Sequence, residues 1–136
     1  MHRKTYRGML VLGSNGEEDD ILFLEPRESF DVPLAEIIKD DLSMYGNFLS
    51  VHLYISDKEI PADKVEESFV MSFYGLGDAD YWMHFSEYTG YLWTDEDLKV
   101  GGHDLLEQLK SNKGKYLHMV IDFHKDKLGF EGKVEK

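Results

Sequence analysis

The chain contains no cysteine. That absence excludes disulfides, thiolate metal sites and a cysteine nucleophile, and it leaves packing as the source of stability. Long apolar runs are also missing. Near the N-terminus only Met9 to Leu12 are continuously apolar, too few for the hydrophobic region of a signal peptide or for a membrane span. A cytoplasmic protein that does not enter a membrane is therefore expected. Catalytic signatures are equally scarce: there is no nucleophile elbow, no HExxH and no phosphate-binding glycine loop, and Gly101-Gly102 precedes a helix pattern without the rest of such a loop. No cofactor or metal is implied, and an enzyme is not the favoured class.

Positive charge is in short supply. Fifteen Lys and Arg stand against 27 Asp and Glu, a formal net charge of −12. The imbalance is concentrated, with −10 on residues 57–107, −5 on residues 1–56 and +3 on residues 108–136. The candidate acidic surface consists of Asp57, Glu59, Asp63, Glu66, Glu67, Asp78, Asp80, Asp95, Glu96 and Asp97. A field of this sign repels nucleic-acid backbones and anionic membranes and favours encounters with basic protein surfaces. Direct nucleic-acid binding is disfavoured. Solubility alone is the simpler use of such charge.

What is present is alternation. With 136 residues and 42% apolar composition the chain fits one globular domain over 1–124. Residues 125–136 form a C-terminal tail with two glycines and little periodicity, for which partial disorder is expected. Lys4 to Leu12 and Ile21 to Glu25 predict two strands joined through Asn15-Gly16, a pair suited to the positive φ angles of tight hairpin turns. The acids Glu17 to Asp20 in that connection lack the alternating oxygen-ligand pattern of a calcium loop. A first helix follows, with Asp31 as N-cap, Pro33 in its first turn, Leu34, Ile37, Ile38 and Leu42 as its buried stripe, and Gly46 or Asn47 as its end. Glu36, Lys39, Asp40 and Asp41 are expected to face water.

Asn47 to Ser56 alternates as a strand, with Leu49, Val51, Leu53 and Ile55 on one face. Ser68 to Tyr74 and Asp80 to Tyr88 are read as a hairpin turning at Gly75-Leu76-Gly77-Asp78, and Thr94 to Asp97 as the capping-box start of a brief helix. Asp104 caps a second helix with Leu105, Leu106 and Leu109 inward, and Gly114 ends it. A final strand runs from Lys115 to His124, with Leu117, Met119, Ile121 and Phe123 inward. The fold class is thus α+β: a single-layer, mainly antiparallel sheet of about five or six strands with two helices packed on one face, in the order β-β-α-β-β-β-α-β.

The opposite sheet face is the chemically unusual one. His52, Tyr54, Tyr74, Trp82, His84, His118, Asp122 and His124 point that way, together with Ser72. These rings offer contact area at low entropic cost and imidazoles that can bond or change charge near neutral pH. A loop or the tail packed over this face would instead make it a second, more polar core layer. Spacing argues against a metal site on the last strand, since strand residues two apart are about 7 Å apart and those four apart about 13 Å. The expected function is a non-enzymatic, acidic protein-interaction module whose partner is another protein with a basic surface, one form of which is a nucleic-acid mimic. The alternatives are a small-molecule or metal-ion binder, or minor enzyme, using the His, Asp and aromatic cluster, and a homodimer closing its aromatic face on a twin.

Overall fold

The computed structural model describes residues 1–15, 18–26, 32–90, 92–126 and 134–135. Strands β1 (His2–Asn15) and β2 (Glu18–Glu25) form the expected hairpin, with Leu12 opposite Leu22 and Asn15 opposite Glu18. Gly16, expected at the turn, lies outside the described residues, as does Asp31. Helix α1 (Leu34–Tyr45) starts after Pro33, whose carbonyl accepts from the Glu36 and Ile37 N–H groups, and it ends at Gly46. Strand β3 (Phe48–Ser56) leads through a 3-10 turn (Val65–Ser68) into β4 (Phe69–Phe85). Then come β5 (Leu92–Val100), the two-residue β6 (His103–Asp104), α2 (Leu105–Lys110), β7 (Tyr116–His124) and β8 (Val134–Glu135).

Every pairing among the described residues is antiparallel. The sheet path is β2-β1-β7-β3-β4-β5-β6, with β8 paired to β4 off that path. This sheet is curled into a half-barrel, not the flat single layer of five or six strands expected from the sequence. The cause lies in two long strands that change partners midway. Strand β1 pairs β7 over residues 2–9 and β2 over residues 9–15. Strand β4 pairs β3 over residues 69–76 and β5 over residues 77–85. Strand twist accumulates along such ribbons and carries the second partner round the core.

Glycine makes both handovers possible. Gly8 sits at φ +152°, and a Cβ there would run into the Glu25 carbonyl oxygen. At Gly77 a Cβ would lie 2.6 Å from Leu49 Cδ1 and 2.9 Å from Leu42 Cδ2, so its absence lets α1 and β3 close onto the bend of β4. Gly77 is no hairpin turn: its N–H donates to the Asn47 carbonyl at 2.7 Å and the strand continues. The expected helix start at Thr94 to Asp97 is likewise strand, because each of these residues pairs across to β4 between Met83 and Asp80. Cross-strand pairing overrides the local capping pattern.

The concave side is filled by one continuous core. Leu10, Leu22, Leu49, Val51, Leu53, Phe73, Leu98, Leu117, Met119, Ile121 and Phe123 meet Leu34, Ile38 and Leu42 of α1 and Leu105, Leu106 and Leu109 of α2. Asp104 caps α2 as expected, accepting from the Glu107 N–H at 3.0 Å. Asp41, expected to face water, is instead buried: it accepts from the Tyr6 hydroxyl and from Lys4 Nζ at 2.7 Å. Burial and this carboxylate push the Tyr6 phenol far above its ordinary range.

Glu96 closes the curl. Its side chain is 4% exposed, lies 2.8 Å from Lys110 Nζ of α2, and accepts from the Leu22 N–H of β2 at 3.3 Å. One carboxylate therefore joins β5, β2 and α2. Burial raises its pKa, with Lys110 opposing the shift. Residues 127–133 and 136, for which disorder was expected, lie outside the described residues. No described helix is long and apolar enough to cross a membrane.

Candidate functional site

Alternation places His52 and Tyr54 of β3, Ser72 and Tyr74 of β4, and His118, Asp122 and His124 of β7 on the convex face. Register brings neighbours together: His52 is opposite Ser72, Ser50 opposite both Tyr74 and Asp122, and Tyr54 opposite His118. Six of the eight candidate binding residues thus share one patch. Trp82 and His84 do not. They lie on the far half of β4, and eight residues of strand, about 27 Å, separate Trp82 from Tyr74.

Within the patch most polar groups are engaged. His52 Nδ1 is 2.7 Å from Ser72 Oγ, and its ring meets Tyr74 edge-on at 6.0 Å. Asp122 is buried and held by Arg3, whose Nε donates at 2.7 Å and whose second guanidinium nitrogen donates at 3.0 Å. Hydrogen bonding from Arg3 outweighs burial and holds the Asp122 carboxyl below its ordinary range, with His52 and His124 adding to the effect. Tyr54 is buried against the rings of Phe69 and His118, and its hydroxyl donates to Glu66 at 3.3 Å. Burial, then Glu66, raises its pKa.

The β3–β4 connection covers one end of this patch. Arg7, opposite His118, donates to the Ile60 carbonyl, and Ile60 itself is 3% exposed and outside the main core. Beneath that segment His118 Nδ1 is shielded and has no hydrogen-bond partner among the described residues. Burial, then Arg7, lowers the His118 pKa, so the neutral ring is favoured. At the opposite end His124 borders an open cleft of about 430 Å³, shared with Met44, Lys125 and the stacked rings of His2 and Tyr45, 3.6 Å apart. Among the described residues no group of three or more His, Asp or Glu is arranged to hold a metal ion.

The acidic candidates divide into two groups at opposite ends of β4. Asp57, Glu59, Asp63, Glu66 and Glu67 are exposed on the β3–β4 connection, where Lys115 lies 3.7 Å from Asp57. Asp78, Asp80, Asp95 and Asp97 flank the β4–β5 hairpin, hereafter the arm, while Glu96 points inward to the seam. Asp80 is 3.6 Å from Lys39, and Asp95 is 2.8 Å from His84 Nε2.

Aromatic rings stand in the open on the arm. Trp82 is 40% exposed, Phe85 63% and Tyr88 fully. Residues 78–99 hold six acids, one lysine and both tryptophans of the chain. Sequence reasoning missed Phe85 and Tyr88, and it missed Arg3 and Arg7. The arginines show a signal only once Tyr6 is known to point inward, since Arg3 and Arg7 then share the opposite face. Comparison with known proteins returns no match: no family model, no curated protein and no solved structure matches the chain.

Proposed function

We propose that this chain is a non-enzymatic protein-interaction module that docks on a basic protein surface through the β4–β5 arm. The observation that carries this reading is the exposure of Trp82, Phe85 and Tyr88 on an arm whose net charge over residues 78–99 is −5. Large rings are costly to leave in water and are over-represented at the centres of interfaces. The carboxylates beside them select a partner of opposite sign and speed the encounter. A nucleic-acid mimic is one form of such a module. The rival reading, a small-molecule or metal binder on the convex face, has less support, because His52, Asp122 and Tyr54 are bonded to Ser72, Arg3 and Glu66.

The test compares wild type with a variant carrying Trp82→Ser, Phe85→Ser and Tyr88→Ser, whose fold is checked by circular dichroism. Both are used as bait at low and high salt, and retained proteins are identified by mass spectrometry. The reading expects basic proteins that wild type retains at low salt and that the variant and high salt both release. Identical retention by the two baits, or retention indifferent to salt, overturns it.

A further inference from the structure

The convex face of the arm places one exposed ring among several carboxylates. Asp95 is the direct cross-strand partner of Trp82, and Asp80 and Asp97 are paired with each other one step along the same face. Cross-strand partners lie about 5 Å apart and same-face residues along a strand about 7 Å apart, so all three carboxylates can reach a group resting on the indole. His84 meets the indole edge-on, with ring centres 5.6 Å apart at 74°. Lys39 Nζ already lies 3.6 Å from Asp80 and the His84 ring nitrogen Nε2 2.8 Å from Asp95, and all four side chains remain partly exposed. The arrangement therefore already accepts one cationic side chain, that of Lys39, from this chain itself.

We infer, building on the docking reading above, that the arm's partner is an arginine-bearing extended segment of another protein, with one guanidinium stacked on Trp82 and bonded to the surrounding carboxylates. Arginine fits better than lysine. Its planar group stacks on an aromatic face while its edge N–H groups engage carboxylates, and it sheds water more easily than an ammonium. Phe85, three residues on in the same strand, faces the other side of the arm, and Tyr88 lies in the turn beyond it, so the guanidinium site is Trp82 with its own face's carboxylates. A second copy of this chain is a poor occupant, because two arms of net charge −5 repel each other.

The experiment uses two fluorescein-labelled synthetic peptides of equal length and charge, one alternating arginine with glycine and the other lysine with glycine. Anisotropy titrations at low salt are run with wild type, Trp82→Ala, Trp82→Leu, and the double variant Asp95→Asn, Asp97→Asn, each confirmed folded by its thermal transition. The arginine peptide is expected to bind wild type at least about threefold tighter than the lysine peptide, and about tenfold weaker to Trp82→Ala. Trp82→Leu, which keeps apolar bulk but no ring face, is expected to lose the arginine preference, and the double variant to weaken both peptides. Equal binding of the two peptides, or an arginine preference that survives both Trp82 substitutions, overturns the inference while leaving docking on a basic surface in place. Binding of neither peptide overturns both.

Discussion

Removing the Glu96 carboxylate tests whether a single side chain closes the half-barrel. Glu96→Ala leaves the Leu22 N–H without its acceptor and Lys110, 23% exposed at its side chain, without its partner. A buried donor left unsatisfied costs about 1–3 kcal/mol, and a partly exposed ion pair adds at most about 1 kcal/mol. The sum is about 1–4 kcal/mol, and for a chain of this size each kcal/mol moves the melting temperature by roughly 3–4 °C. A fall of about 10 °C in a thermal scan is expected. Glu96→Gln keeps a carbonyl for the Leu22 N–H and drops the charge, and because Lys110 is partly exposed and can turn to water it is expected within about 1 kcal/mol of wild type at pH 7.

The pH dependence gives the same experiment a second readout. Because burial raises the folded-state pKa of Glu96 above its ordinary 4.5, its contribution is fully present below pH 4.5 and is lost as pH rises through the folded value. Wild type should therefore gain on Glu96→Gln as pH falls from 7 towards 4.5. A Glu96→Ala protein that melts within 1 °C of wild type would refute the assignment of the seam to this residue.

Two further substitutions probe the parts of the fold that position the convex face and the arm. Gly77→Ala forces a methyl group against Leu49 and Leu42 in the core, and overpacking of this kind costs about 1–3 kcal/mol, read as a lower denaturant midpoint with unchanged slope. Asp122→Asn removes the charge that Arg3 holds; since the Asp122 pKa is depressed, the lost stability should be full above the ordinary aspartate value of 3.8 and should vanish as pH falls through the folded value, as followed by paired melts from pH 6 to pH 2.5.

Strands with one clean buried face were legible in the sequence. The alternation of Leu49 to Ile55 and of Leu117 to Phe123 maps onto β3 and β7, and Leu105, Leu106 and Leu109 with the Asp104 cap map onto α2. What was not legible is where chain punctuation serves a tertiary purpose. Gly75 and Gly77 look like a turn, yet in the fold β4 runs on through both, and the missing side chain at Gly77 lets Leu42 and Leu49 close on the point where β4 exchanges β3 for β5. Thr94 to Asp97 satisfies a capping pattern, but its strand pairing depends on β4, ten or more residues away. The convex patch was recoverable because period-two alternation survives in β3 and β7. Its division from Trp82 and His84 was not, since it depends on reading β4 as one strand rather than two. Buried acids are the hardest to foresee: Asp41 and Glu96 sit in acidic runs that read as solvated, and only the positions of Tyr6, Lys4 and Lys110 explain their burial.

The place of β7 in the sheet has a consequence for how the molecule is made. It lies between β1 and β3, with His2 opposite Phe123 on one side and Val51 opposite Ile121 on the other. Both neighbours emerge from the ribosome long before it, so the two-strand and four-strand pieces they belong to must wait with unsatisfied edges until residue 124 arrives. Such late, long-range closure implies slow folding and a nascent chain that is prone to pair with other strands in the interval. The strand that completes the sheet is thus also the one that ends its vulnerability to aggregation.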